Sequence, residues 1–162
     1  MAKQKEIKTN AMRILEQMKI PFTHLTYECK EFEDGIQIAD LLGLPREKVY
    51  KTLVTVGASK NYFVFVIPVE AELDMKAAAR AVGEKSVSMI HVKEINRITG
   101  YVRGGCTAIG MKKQYTTVLD SSAESLPLII VSGGRIGSQI ELHPADLLRA
   151  TGGTYAKVAV NE

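Results

Sequence analysis

The sequence predicts a mixed α/β fold of the α+β kind, a barrel-like β-sheet surrounded by helices, in a single domain from residue 1 to residue 162. Three observations lead there. Strand-like runs outnumber helical ones, and hairpin connections dominate, which favours a mixed sheet over a doubly wound order. One run, NYFVFVIP (61–68), is apolar on both faces, as expected of a central strand covered by helices on at least one side. No repeat or low-complexity linker divides the chain, and a chain of this length buries roughly 68–70% of its unfolded surface, enough to fold without a metal or disulfide.

The elements follow in order. Thr9-Asn10 is a plausible helix cap, and AMRILEQMK sets Met12, Leu15 and Met18 on one helical face before Pro21 ends the helix. Residues 22–27 read as a strand. IQIADLLG is a short helix closed by Gly43 and Pro45. VYKTLVTV and NYFVFVIP then form the clearest hairpin, turned by GASKN. LDMKAAARAVG is a helix stopped by Gly83 in a left-handed conformation. SVSMI is a short strand and HVKEINRITG a helix ending at Gly100. After a glycine-rich loop, TTVLD is a strand, PLIIVSGGR a buried strand running into a second glycine turn, and SQIELH another strand. HPADLLRATGG is the last helix and TYAKVAV the closing strand.

Composition excludes several classes. Forty-six per cent hydrophobic and 24% charged residues describe an ordinary globule, and no window reaches eighteen consecutive apolar residues, so no membrane span is expected. The opening MAKQKEIKTNAMRILEQ is basic but lacks the apolar core of a signal peptide. Two cysteines, Cys29 and Cys106, without a CxxC pair fit a reducing cytoplasm better than a secreted disulfide frame. A net charge of +3, from twenty-one basic and eighteen acidic side chains, permits a nucleic-acid partner without requiring one.

The stretch ITGYVRGGCTAIGMKK (98–113) carries the densest chemistry, with four glycines, one tyrosine, one cysteine and three basic side chains. Clustered glycine is unfavourable unless the backbone must bend or approach something closely. Gly105 to Gly110 has the GxxxxG spacing of a phosphate loop. The lysine comes one place late, the magnesium-binding hydroxyl is missing, and the loop follows a helix rather than a strand. Cys106, among basic residues, is a candidate nucleophile or simply a small loop residue; a nucleophile needs a base, and His24, His91 and His143 fall in three different elements. No histidine or cysteine spacing matches a metal site, and no carboxylate pair stands out. Lys51 lies near the head of VYKTLVTV, where alternation sets it on one sheet face with Leu53 and Thr55. A strand-borne lysine can grip a carbonyl or phosphate, or it can snorkel from a sheet edge; spacing alone leaves both readings open.

Taken in order and at these separations, YKTLV, ITGYVRGGCTAIGMKK and IIVSGGRIG resemble the YbaK/EbsC family, free-standing relatives of the editing domain of bacterial prolyl-tRNA synthetase. The likeness runs from Thr26-Tyr27-Glu28 to the terminal strand. It implies a mixed, barrel-like sheet with surrounding helices, no metal and no cofactor. It also implies a cytoplasmic trans-editing deacylase that removes cysteine from Cys-tRNA(Pro), and Cys-tRNA(Cys) within the same reach, with prolyl-tRNA synthetase as a possible partner. The family's essential lysine falls on Lys51. Its substrate tyrosines fall on Tyr27 and Tyr101, its ester-facing glycine on Gly104 and its polar turn residue on Ser132, with Gly105, Thr107, Gly133 and Gly134 beside them. Lys112, Lys113 and Arg135 are then expected to meet phosphates near the CCA 3′ end, giving salt-dependent, sequence-indifferent affinity.

Two positions depart from the family's pattern: Ala108 stands where a proline is usual, which bears on loop rigidity, and Gln139 stands where some members carry an acidic or hydroxyl residue. The resemblance implies that the substrate's own thiol attacks its carbonyl, so the protein has only to orient the ester and stabilise the oxyanion. Alternatives are an alanyl-tRNA(Pro) deacylase using water and a non-catalytic RNA-binding or regulatory relative.

Overall fold

The computed structural model describes residues 8–27 and 35–160. Glu28 of the TYE motif and Cys29 lie outside the described residues. Among those described, the chain forms five α-helices and ten strands in a mixed α+β arrangement. Helix α1 (Asn10–Gln17) is capped by Thr9, whose hydroxyl oxygen accepts from the Met12 N–H at 3.2 Å. Strand β1 (Thr23–Thr26) is shorter than the expected run by a residue at each end. Helix α2 (Gly35–Leu42) is followed by the hairpin of β2 (Tyr50–Gly57) and β3 (Tyr62–Pro68). Beyond it come β4 (Glu72–Leu73), helix α3 (Met75–Val82), β5 (Val87–Met89) and helix α4 (Ile95–Thr99). The chain ends with β6 (Thr116–Asp120), β7 (Ile129–Ser132), β8 (Ser138–Leu142), helix α5 (Pro144–Thr151), β9 (Thr154–Ala156) and β10 (Ala159–Val160).

The main sheet has the order β5-β2-β3-β6-β9. β2 pairs antiparallel with β3 and β5, whereas β6 pairs parallel with β3 and β9. A second sheet, β1-β8-β7, is antiparallel, and it meets the first at the parallel bridge of Val49 with Ile130. The sheets meet there without closing into a barrel. The central strand β3 explains the arrangement: Val64 and Val66 pack on one face with α1, α5 and the β7–β8 pair, and Phe63, Phe65 and Ile67 pack on the other with Ala78 and Ala79 of α3. Its two-sided apolar pattern is what such double covering requires.

Several expected elements differ in extent, each for a local reason. Asp74, rather than Leu73, opens α3, because its carboxylate accepts from the N–H groups of Lys76 and Ala77 at 3.1 Å. The expected helix over 91–100 splits into a 3-10 turn, Val92–Glu94, and the short α4, which stops at Gly100 with φ of 87°. The closing strand also splits, and β10 pairs with β4 instead of the main sheet. Asp120, only 4% exposed, causes that division: Oδ1 accepts from the N–H groups of Val158 and Ala159 at 2.9 Å, and Oδ2 accepts from Ser122. A buried carboxylate thus replaces the ladder at the point where the chain leaves β9.

Removing those acceptors should cost more than losing a surface contact. We expect Asp120→Ala to lower unfolding stability by about 2–4 kcal/mol, since each buried polar group left without a partner costs about 1–3 kcal/mol. Asp120→Asn, which keeps one acceptor oxygen, should lose less. Urea denaturation followed by circular dichroism measures both, and a loss below about 1 kcal/mol for the alanine variant would show that other contacts hold the C-terminal segment.

Candidate functional site

The site begins with which way β2 turns its hydrogen-bonding groups. Toward β3, Val49 C=O accepts from Val69 N–H at 2.9 Å and Gly57 N–H donates to Asn61 C=O at 2.8 Å. Alternation along the strand therefore gives the peptide groups of Lys51, Leu53 and Thr55 to the β3 ladder, and those of Tyr50, Thr52, Val54 and Val56 to the other edge. Along that edge Val49 bridges Ile130 at one end, while Thr55–Gly57 pair with β5 at the other. The last bond on the β5 side runs from Ile90 N–H to Val54 C=O at 3.3 Å, after which the chain turns away into Val92–Glu94. β7 behaves similarly. Gly133 N–H donates to Ser138 C=O, so alternation turns the Ser132 peptide away from β8 and toward β2. Beyond the single bridge the strands part, and a cavity of about 340 Å³ fills the wedge.

Its walls are largely apolar, with Leu53 and Val54 from β2 and Met89, Val92 and Ile95 from the following segments. Lys51, Arg103, Ser132 and Gln139 supply polarity, and Gly104 and Cys106 form part of the boundary. Gln139 is 4% exposed and sits beside Ser132 in the β7–β8 register. Among the described residues, no group of three or more His, Cys, Asp or Glu side chains is placed to hold a metal ion, and no helix is long and apolar enough to cross a membrane.

The glycines of the 98–113 loop serve packing as well as access. A Cβ on Gly105 would stand 2.7 Å from the Cα of Arg135 and 2.9 Å from the Ile136 nitrogen, so the two glycine turns pack backbone to backbone. Gly104, next to it, has φ of 85° and faces the cavity. Beneath them Tyr101 is buried, and its hydroxyl donates to the Ile109 carbonyl at 2.6 Å. Burial pushes the Tyr101 hydroxyl pKa up, which keeps it protonated as a donor. Ala108 is 5% exposed within the main core cluster. The loop that lacks the family's proline is thus pinned from inside by a tyrosine hydrogen bond and core contacts.

The residues singled out from sequence therefore separate into groups. Lys51, Gly104 and Ser132 meet at the cavity. Gly105, Thr107, Gly133 and Tyr101 lie buried behind it, and Gly134 packs near Thr9 and Tyr101. Tyr27 donates its backbone N–H to Gly137 C=O on the β1 side and is not among the cavity-lining residues. Lys112, Lys113 and Arg135 are exposed, Lys112 beside Gly100 at the end of α4 and Arg135 on the turn against Gly105. Sequence reasoning missed Thr52, Arg103, Met89, Val92 and Ile95 as cavity residues. Arg103 lies inside the glycine motif, which was a usable signal. The other four had none, because only the parting of strands brings them together.

Cys106 lines the cavity, yet burial pushes its thiol up to about 11, outweighing a hydrogen bond with Thr99 that lowers it. No histidine lines the cavity. His24 Nε2 is paired with Ser138 Oγ at 2.8 Å, and His143 Nδ1 accepts from Ala145 N–H to cap α5. A neutral thiol with no histidine among the described cavity-lining residues to take its proton is a poor nucleophile.

Residues 30–150 match the model of the aminoacyl-tRNA editing domain family. The chain is 46% identical, over the whole of both sequences, to an Enterococcus faecalis protein named "Putative Cys-tRNA(Pro)/Cys-tRNA(Cys) deacylase EbsC". Its fold is similar to a crystal structure described as "a putative trans-editing enzyme for prolyl tRNA synthetase", with a TM-score of 0.78 and 22% identity over 94% of this chain and 99% of that one. A hypothetical protein of known structure gives a TM-score of 0.82 at 23% identity, over 91% of this chain and 97% of that one.

The state of Cys106 is directly measurable. In a Cys29→Ser background, its alkylation by iodoacetamide should be slow at neutral pH and rise with a midpoint near 11. A midpoint below about 8 would show a thiolate poised for attack.

Proposed function

The chain belongs to the aminoacyl-tRNA editing domain family, and from that premise we propose that it is a trans-editing deacylase that removes cysteine from Cys-tRNA(Pro), and from Cys-tRNA(Cys) where that RNA presents the same ester. The observation that supports the reading is the wedge cavity, which the strand-borne Lys51 lines together with Gly104 and Ser132, with Cys106 on the same boundary held neutral. Such a site can bind and polarise an ester, and among the described residues its one cysteine is held protonated rather than poised as a nucleophile.

In this mechanism the 3′ aminoacyl end enters the cavity with its carbonyl near Lys51. The substrate thiol loses its proton, and the sulfur attacks the carbonyl carbon of the same residue. A C–S bond forms as the carbonyl π electrons move onto oxygen, where the Lys51 ammonium stabilises the developing charge. The oxyanion then collapses, the C–O bond to the terminal ribose breaks, and the ribose oxygen takes up the proton that the thiol released. The products are a thiolactone and uncharged tRNA, and water later opens the thiolactone to cysteine. Holding sulfur and carbonyl in one molecule supplies proximity that a bimolecular attack lacks.

A separate editing site has a physical reason. A pocket discriminates poorly between amino acids of similar size, with about 1–3 kcal/mol for one methylene, and cysteine and proline are close in size. A site that requires sulfur restores the distinction. On this reading Arg135, Lys112 and Lys113 meet the phosphates of the acceptor end, and the protein works in the cytoplasm after release of the mischarged RNA from prolyl-tRNA synthetase.

The test is a panel of cysteinyl-, seryl-, alanyl- and prolyl-tRNA(Pro) with wild type and Lys51→Ala. Cysteinyl-tRNA should be cleaved fastest and seryl-tRNA poorly, since a hydroxyl is a far weaker nucleophile without a base. Lys51→Ala should lose about 100-fold or more while keeping its circular dichroism spectrum. Early quenching in oxygen-18 water should reveal thiolactone before labelled cysteine. Equal cleavage of seryl- and cysteinyl-tRNA would instead identify a deacylase that uses water.

A further inference from the structure

Among the described residues, the edge of β2 that faces the cavity has no named strand pairing at Thr52. Val54 C=O still accepts from Ile90, and Val49 still pairs with Ile130, so the gap is centred on Thr52. Continuing the register that pairs Thr55 with Met89 would set Val92 opposite Thr52, but Val92 begins the 3-10 turn and has left the sheet. Alternation makes Thr52 a narrow-pair position on this edge, where a residue across the ladder exchanges two bonds, N–H to C=O in each direction. Such a pair of backbone groups on a largely apolar cavity wall costs free energy unless something satisfies it.

The aminoacyl group of a charged tRNA is itself a single residue, with an α-ammonium donor and a carbonyl acceptor in the positions of a peptide residue's N–H and C=O. We infer that the main chain of Thr52 binds the aminoacyl ester as the missing ladder residue, its N–H donating to the ester carbonyl oxygen and its C=O accepting from the α-ammonium. This inference rests on the deacylase reading and extends it from Lys51 to a backbone contact. The adjacent Lys51 lines the same cavity, so a cation and a fixed N–H converge on one carbonyl oxygen. The recognition is independent of the amino-acid side chain, leaving sulfur to be read elsewhere in the cavity. It requires a free α-amine, so that peptidyl-tRNA, whose nitrogen is acylated and uncharged, fits poorly.

Proline at position 52 removes the N–H while leaving the β3 ladder intact, because that N–H faces away from β3. Thr52→Pro should lower kcat/KM for cysteinyl-tRNA about 10²–10³-fold, the usual effect of deleting one oxyanion donor. A semisynthetic protein carrying the α-hydroxy analogue of threonine at position 52 replaces the N–H by oxygen without a ring, and it decides the matter if the proline variant does not fold. On the substrate side, a tRNA esterified with 3-mercaptopropionate keeps the thiol but lacks the α-amine. After correction for uncatalysed rates, it should be cleaved at least about ten-fold more slowly than cysteinyl-tRNA by wild type. Folded N–H-deficient proteins within three-fold of wild type, or equal corrected rates for the two esters, would overturn the inference while leaving the deacylase reading intact. Failure of wild type to cleave any aminoacyl-tRNA would overturn both.

Discussion

The structure depends on the parting of β2 from β7. Val49 is held on both sides, by Val69 N–H on its C=O and by the bridge to Ile130, and it is 1% exposed beneath Ala39 of α2. That apolar pin fixes the angle between the two sheets. Past it, each strand keeps its own twist, and nothing in the ladder pulls them together again. If pairing continued from Val49 and Ile130 through Thr52 and Ser132, the sheet would be more regular and the cavity would be closed. Binding space here comes from an interrupted ladder, and the interruption is stable because apolar side chains on both faces of β3 carry the core.

The second constraint is the contact between the two glycine turns. Gly105 approaches the backbone of Arg135 and Ile136 more closely than any side chain permits. This contact ties the 98–113 loop to the β7–β8 turn, and so holds Gly104 and Ser132 on one rim of the wedge. The pin from Tyr101 to Ile109 works on the other side of the same loop. A proline would stiffen the loop by removing backbone freedom from the unfolded chain. Here the stiffness comes from native-state contacts, so loosening the core near α1 would loosen the rim of the site.

Much of this was legible in the sequence, for identifiable reasons. The hairpin, the two-sided strand 61–68 and the glycine stops at Gly83 and Gly100 follow from periodicity and from local backbone chemistry, which act within a few residues. The order of motifs around Lys51, Gly104 and Ser132 located the three residues that meet at the cavity. What stayed hidden depends on contacts distant in sequence. The pairing of β10 with β4 is set by the buried Asp120, which reads in sequence as an ordinary strand-end carboxylate. Thr52 is visible only as a polar residue in a strand, because its significance comes from the break in named strand pairing at its edge among the described residues. Tyr101 carries an aromatic signal that suits a ligand or a brace equally well, and the side chain points into the loop's own interior.

The electrostatics of the wedge bear on why sulfur would be read there. Burial pushes the Cys106 thiol up to about 11, a penalty on the thiolate of about 3 kcal/mol. A substrate thiol brought beside it meets a similar penalty, and in isolation it would stay protonated and inert. A unit cation about 4 Å away contributes about 4 kcal/mol at an effective dielectric constant near 20, enough to reverse that penalty. Lys51 and Arg103 line the same cavity. Under the proposed reading, reactivity then depends on which sulfur the cations reach. A thiol carried on the ester is placed by the ester itself, whereas Cys106 is fixed in the loop with Thr99 as its partner. The same cavity can therefore keep its own cysteine protonated and still favour ionisation of the thiol that arrives with the substrate.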